Sequence, residues 1–592
     1  MLFGNNPLIY LTKKTWEYSK GNRPRVVAYI GMSFIANASY LFEPLVVASI
    51  LNFIQTYGIT RENVSQLLVK MLWLAGLVGI FWLFHGPARV IEMKNGFLNR
   101  ANYKRYLLEG TMALPSSWHT DHHSGDTIDK IGKGTTALFE YSSSTFEIIS
   151  SLVRLVGSLV ILGFFSATSL LLATALSVIT FLILALFDRA LVRNYDKLNK
   201  AENAISEKIY DAISNITTVI ILRIEKLVLA SIMKKIMEPF RLFIRNNILN
   251  ETKWFFASFL GVLMVVVVLG VYVLQQFQAG MPILVGSMYA LYGYMKNIQD
   301  VFYNFANIYG NKVQQRSAVA NAEEISREFR AVEKTTPIVL GQQWCELAIK
   351  ALDFSYHNDD GADLHLDDVS MTMHRGERIA LIGESGSGKT TLLKIIRELY
   401  KPQRIEVWLD GKLLRHGFAE ISESIALIPQ DPEIFTTTIL ENITVGVPYS
   451  IEHVKKFTDM ARFTEVAERL PKKFDSSIVE KGVNLSGGEK QRLALARGLL
   501  ACEDKAIVLL DEPTSSVDSG NELAIYENIF REFKDKTIIS SVHRLHLLQQ
   551  FDTIYLFENG RIIASGSFAE LLQLSPEFQA MWEKYSQAIE NQ

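Results

Sequence analysis

Hydrophobic and polar positions divide this 592-residue chain into two halves of different character. The first half holds six apolar runs, most of them long enough to cross a lipid bilayer as a helix. The runs cover residues 26–54, 67–84, 148–165, 170–187, 255–274 and 283–295. The last run is short, but helical sequence rich in tyrosine and asparagine continues it to about residue 320. Six such runs fit poorly into one water-soluble core, so the pattern predicts an α-helical six-span transmembrane domain rather than a soluble all-helical protein.

Charges beside the apolar runs predict their orientation. The basic residues before the first run are Lys13, Lys14, Lys20, Arg23 and Arg25. The turns at residues 166–169 and 275–282 carry no charge. Because basic segments stay on the cytoplasmic side, we expect both chain ends in the cytoplasm and small outer loops. The first run starts too late and is too long for a cleavable signal, which favours the inner membrane of a bacterium.

Two polar segments between the runs are much longer than connecting loops need to be. They cover residues 92–147 and 188–253, and their sequence is compatible with helices that continue below the membrane. Within them we expect short crossing helices near residues 116–129 and 211–219 that contact the cytoplasmic domain. The alternative for both is an ordinary cytoplasmic loop.

Charged residues within the apolar runs are candidates for function, because they are costly in a bilayer. Glu43 lies in the first run and Arg154 in the third. Lys296 and Asp300 follow the sixth run and share one helix face. The other polar and aromatic residues of this segment are Tyr289, Tyr292, Asn297, Tyr303 and Asn304. We expect this helix to line a water-filled substrate cavity. The alternative is that Lys296 and Asp300 lie at or below the inner membrane interface.

The second half is organised around a phosphate-binding loop. An apolar strand pattern at residues 378–382 leads into Gly-x-x-x-x-Gly-Lys-Thr, and a helical pattern follows at residues 392–396. This strand, loop and helix context predicts nucleotide binding in an α/β P-loop ATPase domain. Glycines let backbone N–H groups approach the phosphates, and the start of the helix attracts anions. The candidate nucleotide-binding residues are Gly383, Glu384, Ser385, Gly386, Ser387, Gly388, Lys389, Thr390 and Thr391.

Individual residues of this half have expected roles in ATP hydrolysis. Lys389 is expected to reach the β- and γ-phosphates, and the Thr390 hydroxyl to bind Mg²⁺. A buried strand pattern at residues 506–510 ends in two acids. Asp511 suits the Mg²⁺ shell, and Glu512 is placed to polarise an attacking water.

A second anion-binding turn lies about a hundred residues after the first. Ser486, Gly487 and Gly488 open a helix, and the N-terminus of a helix attracts phosphate. The chain therefore has two phosphate-binding devices.

Composition excludes several other classes of protein. The formal net charge of −2 shows no basic excess of the kind that nucleic-acid binding requires. Cys345 and Cys502 are the only cysteines, too few for a disulfide framework or a zinc cluster. We expect both to be reduced, structural thiols.

These motifs, in this order and spacing, resemble the ATP-binding cassette (ABC) transporters. Residues 485–491 match the signature of that family, with Glu489 where many members have glutamine. We expect this variant to leave the site active. By the same resemblance Glu480 fits the acidic segment that contacts the membrane domain in exporters. The remaining matches are Gln430 of the Q-loop (catalytic and metal-binding), Asp518 of the D-loop, the switch residue His543, and Tyr356, which stacks on adenine.

The resemblance covers the whole chain, which is similar to a half-size type IV exporter. It implies a transmembrane domain at residues 1–320, a linker at 321–343 and a nucleotide-binding domain at 344–592. It also implies two copies that hold two ATP molecules, with Mg²⁺, between the phosphate loop of one and the signature of the other. An intact catalytic set favours an identical partner over an unlike one.

The expected function is that of an ATP-hydrolysing exporter or flippase for an amphipathic substrate: a lipid, a lipid-linked sugar, a peptide or a drug. An ATP-gated channel or a regulator of another membrane protein is the alternative from a different class. A soluble DNA-clamping ATPase shares the Ser-Gly-Gly turn but does not explain the six apolar runs.

Overall fold

The computed structural model describes residues 6–122, 124–331, 338–341, 343–356, 365–431, 433–478 and 485–590. The chain forms two compact units, which are described separately. The first comprises residues 1–114 and 118–332, and the main part of the second is residues 333–592.

Helices make up the described part of the chain as far as residue 331. They are α1 (Pro7–Tyr18), α2 (Arg23–Tyr40), α3 (Glu43–Tyr57), α4 (Val64–Met112), α5 (Ser116–Asp121), α6 (Ser124–Ser142), α7 (Thr145–Phe165), α8 (Ala167–Ser214), α9 (Ile216–Ile221), α10 (Glu225–Met237), α11 (Phe240–Gln278) and α12 (Val285–Ala331). At 1.5 Å per residue, the 49-residue α4 is about 70 Å long, more than twice the thickness of a bilayer core.

Five helical segments are long and apolar enough to cross a membrane in the described part of the chain. They are Arg23–Tyr57, Val64–Met112, Ser124–Phe165, Ala167–Ser214 and Glu225–Gln278. The sixth predicted span forms the 47-residue helix α12, but it is not among these five. Its tyrosine, asparagine and charged residues lower the mean hydropathy, so crossing by α12 stays a prediction. The predicted domain boundary at residue 320 lies inside this helix.

The first predicted span is broken into two helices. Helix α2 ends at Tyr40, and α3 restarts at Glu43 with Pro44 in its first turn. Proline has no N–H to continue the hydrogen bonds of a preceding helix, so a restart at this position is favoured. The break leaves carbonyl groups without helical partners, and the buried Tyr294 hydroxyl donates to one of them, Leu41 O, at 2.7 Å.

Helix α12 is central to the packing of the first unit. It packs against α1, α3, α4, α6, α7, α8 and α11. One side of α12 contributes Leu291, Met295 and Phe302, all fully buried, to an apolar core shared with Leu162 of α7 and Val268 of α11. Short helices also form near the two predicted crossing segments, as α5 and α9. Their contact with the cytoplasmic domain stays a prediction.

The second unit contains ten strands and eight α-helices in the described ranges. The strands are β1 (Glu346–Phe354), β2 (Leu366–His374), β3 (Arg378–Ile382), β4 (Arg404–Leu409), β5 (Lys412–Leu414), β6 (Ile425–Ile428), β7 (Ile507–Asp511), β8 (Thr537–Ser541), β9 (Thr553–Glu558) and β10 (Arg561–Gly566). The helices are α13 (Lys389–Ile396), α14 (Ile439–Thr444), α15 (Ile451–Met460), α16 (Thr464–Arg469), α17 (Gly487–Ala501), α18 (Ser519–Glu532), α19 (Phe568–Leu574) and α20 (Pro576–Glu590).

The sheets of the second unit place the predicted site residues at strand ends. One sheet has four strands in the order β2-β1-β4-β5, all antiparallel, and the other has six in the order β10-β9-β3-β8-β7-β6. Strands β6, β7, β8, β3 and β9 are parallel. The carboxyl ends of parallel strands lie at one edge of a sheet, so the residues that follow β3, β7 and β8 meet there.

Candidate functional site

The phosphate-binding loop follows the buried strand β3 and ends where α13 begins. Two of its glycines are required by their surroundings. Gly383 has φ +140°, and a Cβ there would lie 2.2 Å from the Phe557 carbonyl oxygen. Gly388 has φ +106°, and a Cβ there would lie 2.5 Å from the Leu366 side chain. The loop can follow this close path only with glycine at both positions.

The Lys389 ammonium lies at the centre of the loop. It donates to the carbonyl oxygens of Gly383 and Glu384, each at 2.8 Å, and to Ser387 Oγ at 3.3 Å. Burial lowers the pKa of this ammonium, and the nearby Glu512 and Asp511 carboxylates act in the opposite direction. A cation held by neutral carbonyls can exchange them for phosphate oxygens without moving far.

Oxygen atoms suited to Mg²⁺ meet at the end of β7. The buried Asp511 carboxylate accepts from Thr390 Oγ1 at 2.8 Å and from Ser541 Oγ at 2.9 Å, both through Oδ1. Hydroxyl and carboxylate oxygens are ligands that Mg²⁺ takes, usually a few from protein and the rest from phosphates and water. No group of three or more His, Cys, Asp or Glu side chains arranged for a metal occurs among the described residues. Such a group is not needed where phosphates and water complete the shell.

The three predicted catalytic residues are brought together around one carboxylate. Glu512 Oε2 accepts from Gln430 Nε2 at 2.7 Å, and Glu512 Oε1 contacts His543 Nε2. The Glu512 backbone N–H donates to Ser541 Oγ at 2.9 Å, and the residue has φ +45°. The carboxylate is therefore held from both sides, in the geometry of a base whose orientation is fixed by its neighbours.

Gln491, near the start of α17, joins the parts of this site. Its side chain is 4% exposed, and its Nε2 donates to Ser515 Oγ at 2.9 Å and to the Glu512 carbonyl at 3.3 Å. Its Oε1 accepts from the Ser516 N–H at 2.8 Å, and Nε2 also approaches the Gln430 carbonyl at 3.4 Å. In the sequence Gln491 is only the last residue of the signature motif, and no sequence pattern marks Ser541.

Two residues of the signature turn, Ser486 and Glu489, hydrogen-bond to each other. Ser486 Oγ accepts from the Glu489 N–H at 3.3 Å, and Glu489 Oε2 accepts from the N–H and the hydroxyl of Ser486, both at 2.9 Å. These bonds form a capping box at the start of α17. The Ser486 N–H is the main cause of a lowered pKa of Glu489, and Arg469 lies 3.6 Å from the carboxylate.

Other predicted residues of the second unit have local partners. Asp518 caps α18 by accepting from the Asn521 N–H at 3.0 Å and from its side chain at 2.8 Å, and these bonds lower the pKa of Asp518. Tyr356 shares a 2.9 Å hydrogen bond with Thr391 Oγ1, and its side chain remains 48% exposed. Glu480 lies outside the described residues.

The signature turn and the phosphate loop do not meet within one chain as far as the described contacts go. The described side-chain hydrogen bonds and ion pairs of Ser486 and Glu489 involve each other and Arg469, and the Ser486 carbonyl accepts from the Lys490 N–H within α17. Asp518 likewise has no described contact with the loop. The structure brings together the loop, the metal-type oxygens and the catalytic residues, and Gln491 of the signature is bonded to this group. Ser486, Glu489 and Asp518 have no described hydrogen bond or ion pair with it.

The charged residues singled out in the first unit do not form one cluster. Lys296 and Asp300 pair along α12 at 3.5 Å, and both are about half exposed. Arg154 lies over the Tyr40 ring at 5.9 Å, and Glu43 is exposed in the first turn of α3. Tyr289, Tyr292 and Tyr303 are exposed on α12, and the water-filled cavity expected along this helix stays a prediction.

Comparison with known families gives two matches along the chain. Residues 366–515 match the ABC transporter family, and residues 26–296 match the ABC transporter transmembrane region. These matches confirm the predicted resemblance and the predicted fold class of a helical membrane domain with a P-loop ATPase domain.

Individual relatives differ in how much of their length is matched. The heterocyst differentiation ATP-binding protein HepA of Nostoc is 36% identical over 225 residues, 38% of this chain and 36% of HepA. The chain thus spans about a third of HepA, and only 22% of the leptomycin B resistance protein pmd1 of Schizosaccharomyces pombe. An ATP-dependent lipid A-core flippase of Idiomarina loihiensis is 27% identical over 87% of this chain and 88% of its own length.

A solved structure shares the fold. The structure of a bacterial Atm1-family ABC exporter with ATP bound has a TM-score of 0.78 and covers 95% of this chain and 99% of its own. The sequence identity is 21%, so this likeness concerns the fold alone.

Proposed function

This chain belongs to the ABC transporters, with the membrane region and the ATPase domain in one polypeptide, and on that premise we propose that it is an ATP-driven exporter or flippase. It moves an amphipathic substrate out of the cytoplasm or the inner leaflet by alternating access. The observation that carries the proposal is the Glu512 carboxylate held between Gln430 and His543, in a chain with five candidate membrane spans.

The residues of the site have distinct roles in hydrolysis. The loop from Gly383 to Thr391 holds the phosphates, and Lys389 exchanges its carbonyl partners for β- and γ-phosphate oxygens. Thr390, Asp511 and Gln430 hold Mg²⁺, which neutralises charge on the phosphates when bound. Glu512 orients the attacking water and accepts its proton.

The switch residue and the adenine contact complete this set. His543 keeps the Glu512 carboxylate in place and contacts the γ-phosphate, and the exposed Tyr356 ring stacks on adenine. Because phosphoryl transfer depends on positioning and charge neutralisation, this arrangement needs no covalent intermediate with the protein.

A second copy of the chain completes each site. Ser486, Gly487, Gly488, Glu489 and Asp518 form an anion-binding turn and cap that make no described contact with the phosphate loop of their own chain. Facing the loop of a partner, the turn places N–H groups and a hydroxyl toward the terminal phosphate. The intact Glu512 and His543 pair supports an identical partner, because neither site of such a dimer is degraded.

ATP drives transport by stabilising the closed pair of ATPase domains. Nucleotide held between two copies favours that state by the contacts it makes only there, and the shift in population changes which side the membrane pathway opens to. The membrane is the bacterial inner membrane, with both termini in the cytoplasm, supported by the basic residues before the first span and the uncharged outer turns.

The pathway runs along α12. Its exposed face carries tyrosines and the Lys296–Asp300 pair, which are costly to expose to lipid but suit an amphipathic substrate in water. Cysteines placed one at a time at Tyr292 and Asn297 are expected to react with a charged thiol reagent added from the cytoplasmic side. If neither position reacts, this face does not line an aqueous pathway.

Transport itself is tested in vesicles with the ATPase domains outward. Accumulation of a substrate that stimulates the ATPase should need ATP and stop with ATP plus vanadate, because vanadate traps the post-hydrolysis state. Candidate lipids, lipid-linked sugars, peptides and drugs are first screened for ATPase stimulation in nanodiscs. Flux that needs ATP but continues unchanged with vanadate, and only down a gradient, indicates a gated channel and contradicts the proposal.

A further inference from the structure

A cavity of about 1050 Å³ with both polar and apolar walls lies in the first unit between α6, α8 and α12. It is lined by the stretches 128–147, 199–203 and 311–321, which lie beyond the apolar runs. We propose that this cavity binds an uncharged, hydroxyl-rich group, a short saccharide, as the polar part of the transported substrate. The inference rests on the proposed transport function and specifies the substrate class.

Six amide side chains from two helices belong to the lining, beside seven charged side chains and three hydroxyls. The amides are Asn199 and Asn203 of α8 and Asn311, Gln314, Gln315 and Asn321 of α12. A side-chain amide offers a donor and an acceptor side by side. A sugar hydroxyl is also both donor and acceptor, so neighbouring hydroxyls and amides satisfy one another. Six amides around one cavity therefore match a polyhydroxylated ligand better than an apolar chain.

Two buried polar atoms of the lining have no hydrogen-bond partner in the described structure. They are Ser143 Oγ and Gln315 Oε1. Ser143 is 9% exposed, and Gln315 already donates through Nε2 to Glu140 at 3.1 Å. A buried acceptor without a partner is costly, and a ligand hydroxyl that donates to it removes the cost. Ser143 Oγ lies against Gly96 of α4, so Gln315 Oε1 is the atom of the two that supports a polar ligand.

The charges of the lining exclude a polyanion. Two of its three lysines have ion pairs, Lys130 with Asp126 at 2.7 Å and Lys133 with Asp129 at 2.8 Å. The third, Lys312, donates to the neutral Ser144 hydroxyl at 2.6 Å and keeps its charge, against those of Glu140, Glu147 and Glu202. The lining also includes Glu147 and Glu202, for which no ion pair or side-chain hydrogen bond occurs among the described residues. The remaining charge is thus negative, which repels an anionic ligand and accepts hydroxyl hydrogens.

The occupancy of the cavity can be measured by protection of a cysteine. In full-length chain in nanodiscs, the exposed Cys345 is changed to serine, while Cys502 is buried. Asn311→Cys then places one reactive thiol on the wall, and Asn247→Cys, an exposed position on α11 outside the lining, is the matched control. The reaction rate with a hydrophilic maleimide is measured in the absence of nucleotide. It is compared without sugar, with the neutral trisaccharide maltotriose free in solution, and with maltotriose attached to a bilayer lipid.

The expected result is that maltotriose slows the reaction at position 311 and leaves position 247 unchanged. Protection by the free sugar indicates a soluble glycan, and protection only by the lipid-attached sugar indicates a glycolipid. Removing two amide contacts in Asn199→Ala/Gln315→Ala should raise the half-protecting concentration about tenfold. Glu202→Lys should shift protection toward the anionic trisaccharide of galacturonic acid.

The proposal is overturned if neither form of maltotriose protects position 311, or if triglycine or the galacturonic acid trisaccharide protects wild-type lining equally well. The assay contains no ATP, so its failure is distinct from failure of the transport proposal. A chain that hydrolyses ATP normally but shows no protection loses only this inference.

Discussion

The second unit contains two capping boxes with nearly the same geometry, one at the start of α17 and one at the start of α19. Glu489 Oε2 accepts two bonds from Ser486 at 2.9 Å, and Glu570 Oε2 accepts two from Ser567 at 2.8 Å. In both, the backbone N–H of the serine is the main cause of a lowered carboxyl pKa. Local structure therefore does not distinguish a functional turn from a structural one.

The surroundings of the two boxes differ. The first positions of α17 are Gly487 and Gly488, whereas those of α19 are Phe568 and Ala569, so only α17 leaves its first N–H groups uncovered by side chains. Helix α17 also carries Gln491, which bonds to the catalytic residues. A helix start acts on an anion only when its N–H groups are accessible and its helix is joined to the reacting groups.

The largest expected effect on ATPase activity comes from changing the catalytic carboxylate of Glu512. Glu512→Gln keeps the shape and the bond to Gln430 but removes the base, so steady-state ATPase activity should fall at least about 100-fold. Equilibrium binding of ATP should stay near the wild-type value, because the phosphate loop is unchanged. Both are measured on purified chain in nanodiscs, and full turnover in this variant contradicts the assigned role.

The two serines provide the direct contrast. Ser486→Ala and Ser567→Ala each remove one helix cap, which costs about 1 kcal/mol of stability. Only Ser486→Ala also removes a hydroxyl proposed to bind the partner's ATP, so its ATPase activity should fall about tenfold. Ser567→Ala should retain full activity. Equal activities in the two variants would show that the α17 turn does not act on nucleotide.

Gln491 tests whether α17 is joined to the catalytic residues. Gln491→Leu keeps the size of a buried side chain but leaves the Ser516 N–H without its partner, which should cost about 1–3 kcal/mol of stability. A severalfold loss of ATPase activity should accompany it, because the Glu512 carbonyl loses its bond as well. Gln549→Leu, at an exposed position, is the control. Normal activity in a destabilised Gln491→Leu chain would limit Gln491 to a structural role.

Sequence patterns located the residues that follow strands but not the residues that join them. Asp511 and Glu512 follow a buried apolar run, and Lys389 follows a glycine loop, so each carries a local signal. Ser541 has none: it reaches Asp511 because β8 lies beside β7 in the sheet, an adjacency that the chain order alone does not give. Gln491 also has no signal of its own, because its role depends on contacts with Gln430, Glu512 and Ser516, which are distant in the sequence.

In the membrane half, too, a local sequence pattern predicts some elements better than others. Five of the six predicted spans meet the criteria of length and composition, and crossing by the sixth, α12, stays a prediction. Helix α12 packs against seven other helices, and its exposed positions carry polar and aromatic residues. A helix covered by protein rather than lipid does not need to be apolar all round, so hydropathy is weakest for the helix at the centre of the unit.

The smallest expected effect concerns the carboxylates of the two boxes. A lowered pKa means that each box contributes stability at pH above the ordinary carboxyl value near 4.5, and loses it as the pH falls through the lowered value. Glu489→Gln and Glu570→Gln should therefore both lower the unfolding temperature slightly at pH 7, and the difference from wild type should decrease as the pH falls below about 4.5 and vanish below the lowered pKa. Thermal unfolding of the full chain at several pH values measures this.

Because glutamine can still bond to the Ser486 hydroxyl, Glu489→Gln should keep ATPase activity within about twofold of wild type. A loss as large as that of Ser486→Ala would mean that the charge of Glu489, and not only its hydrogen bonds, holds the signature turn in its working form.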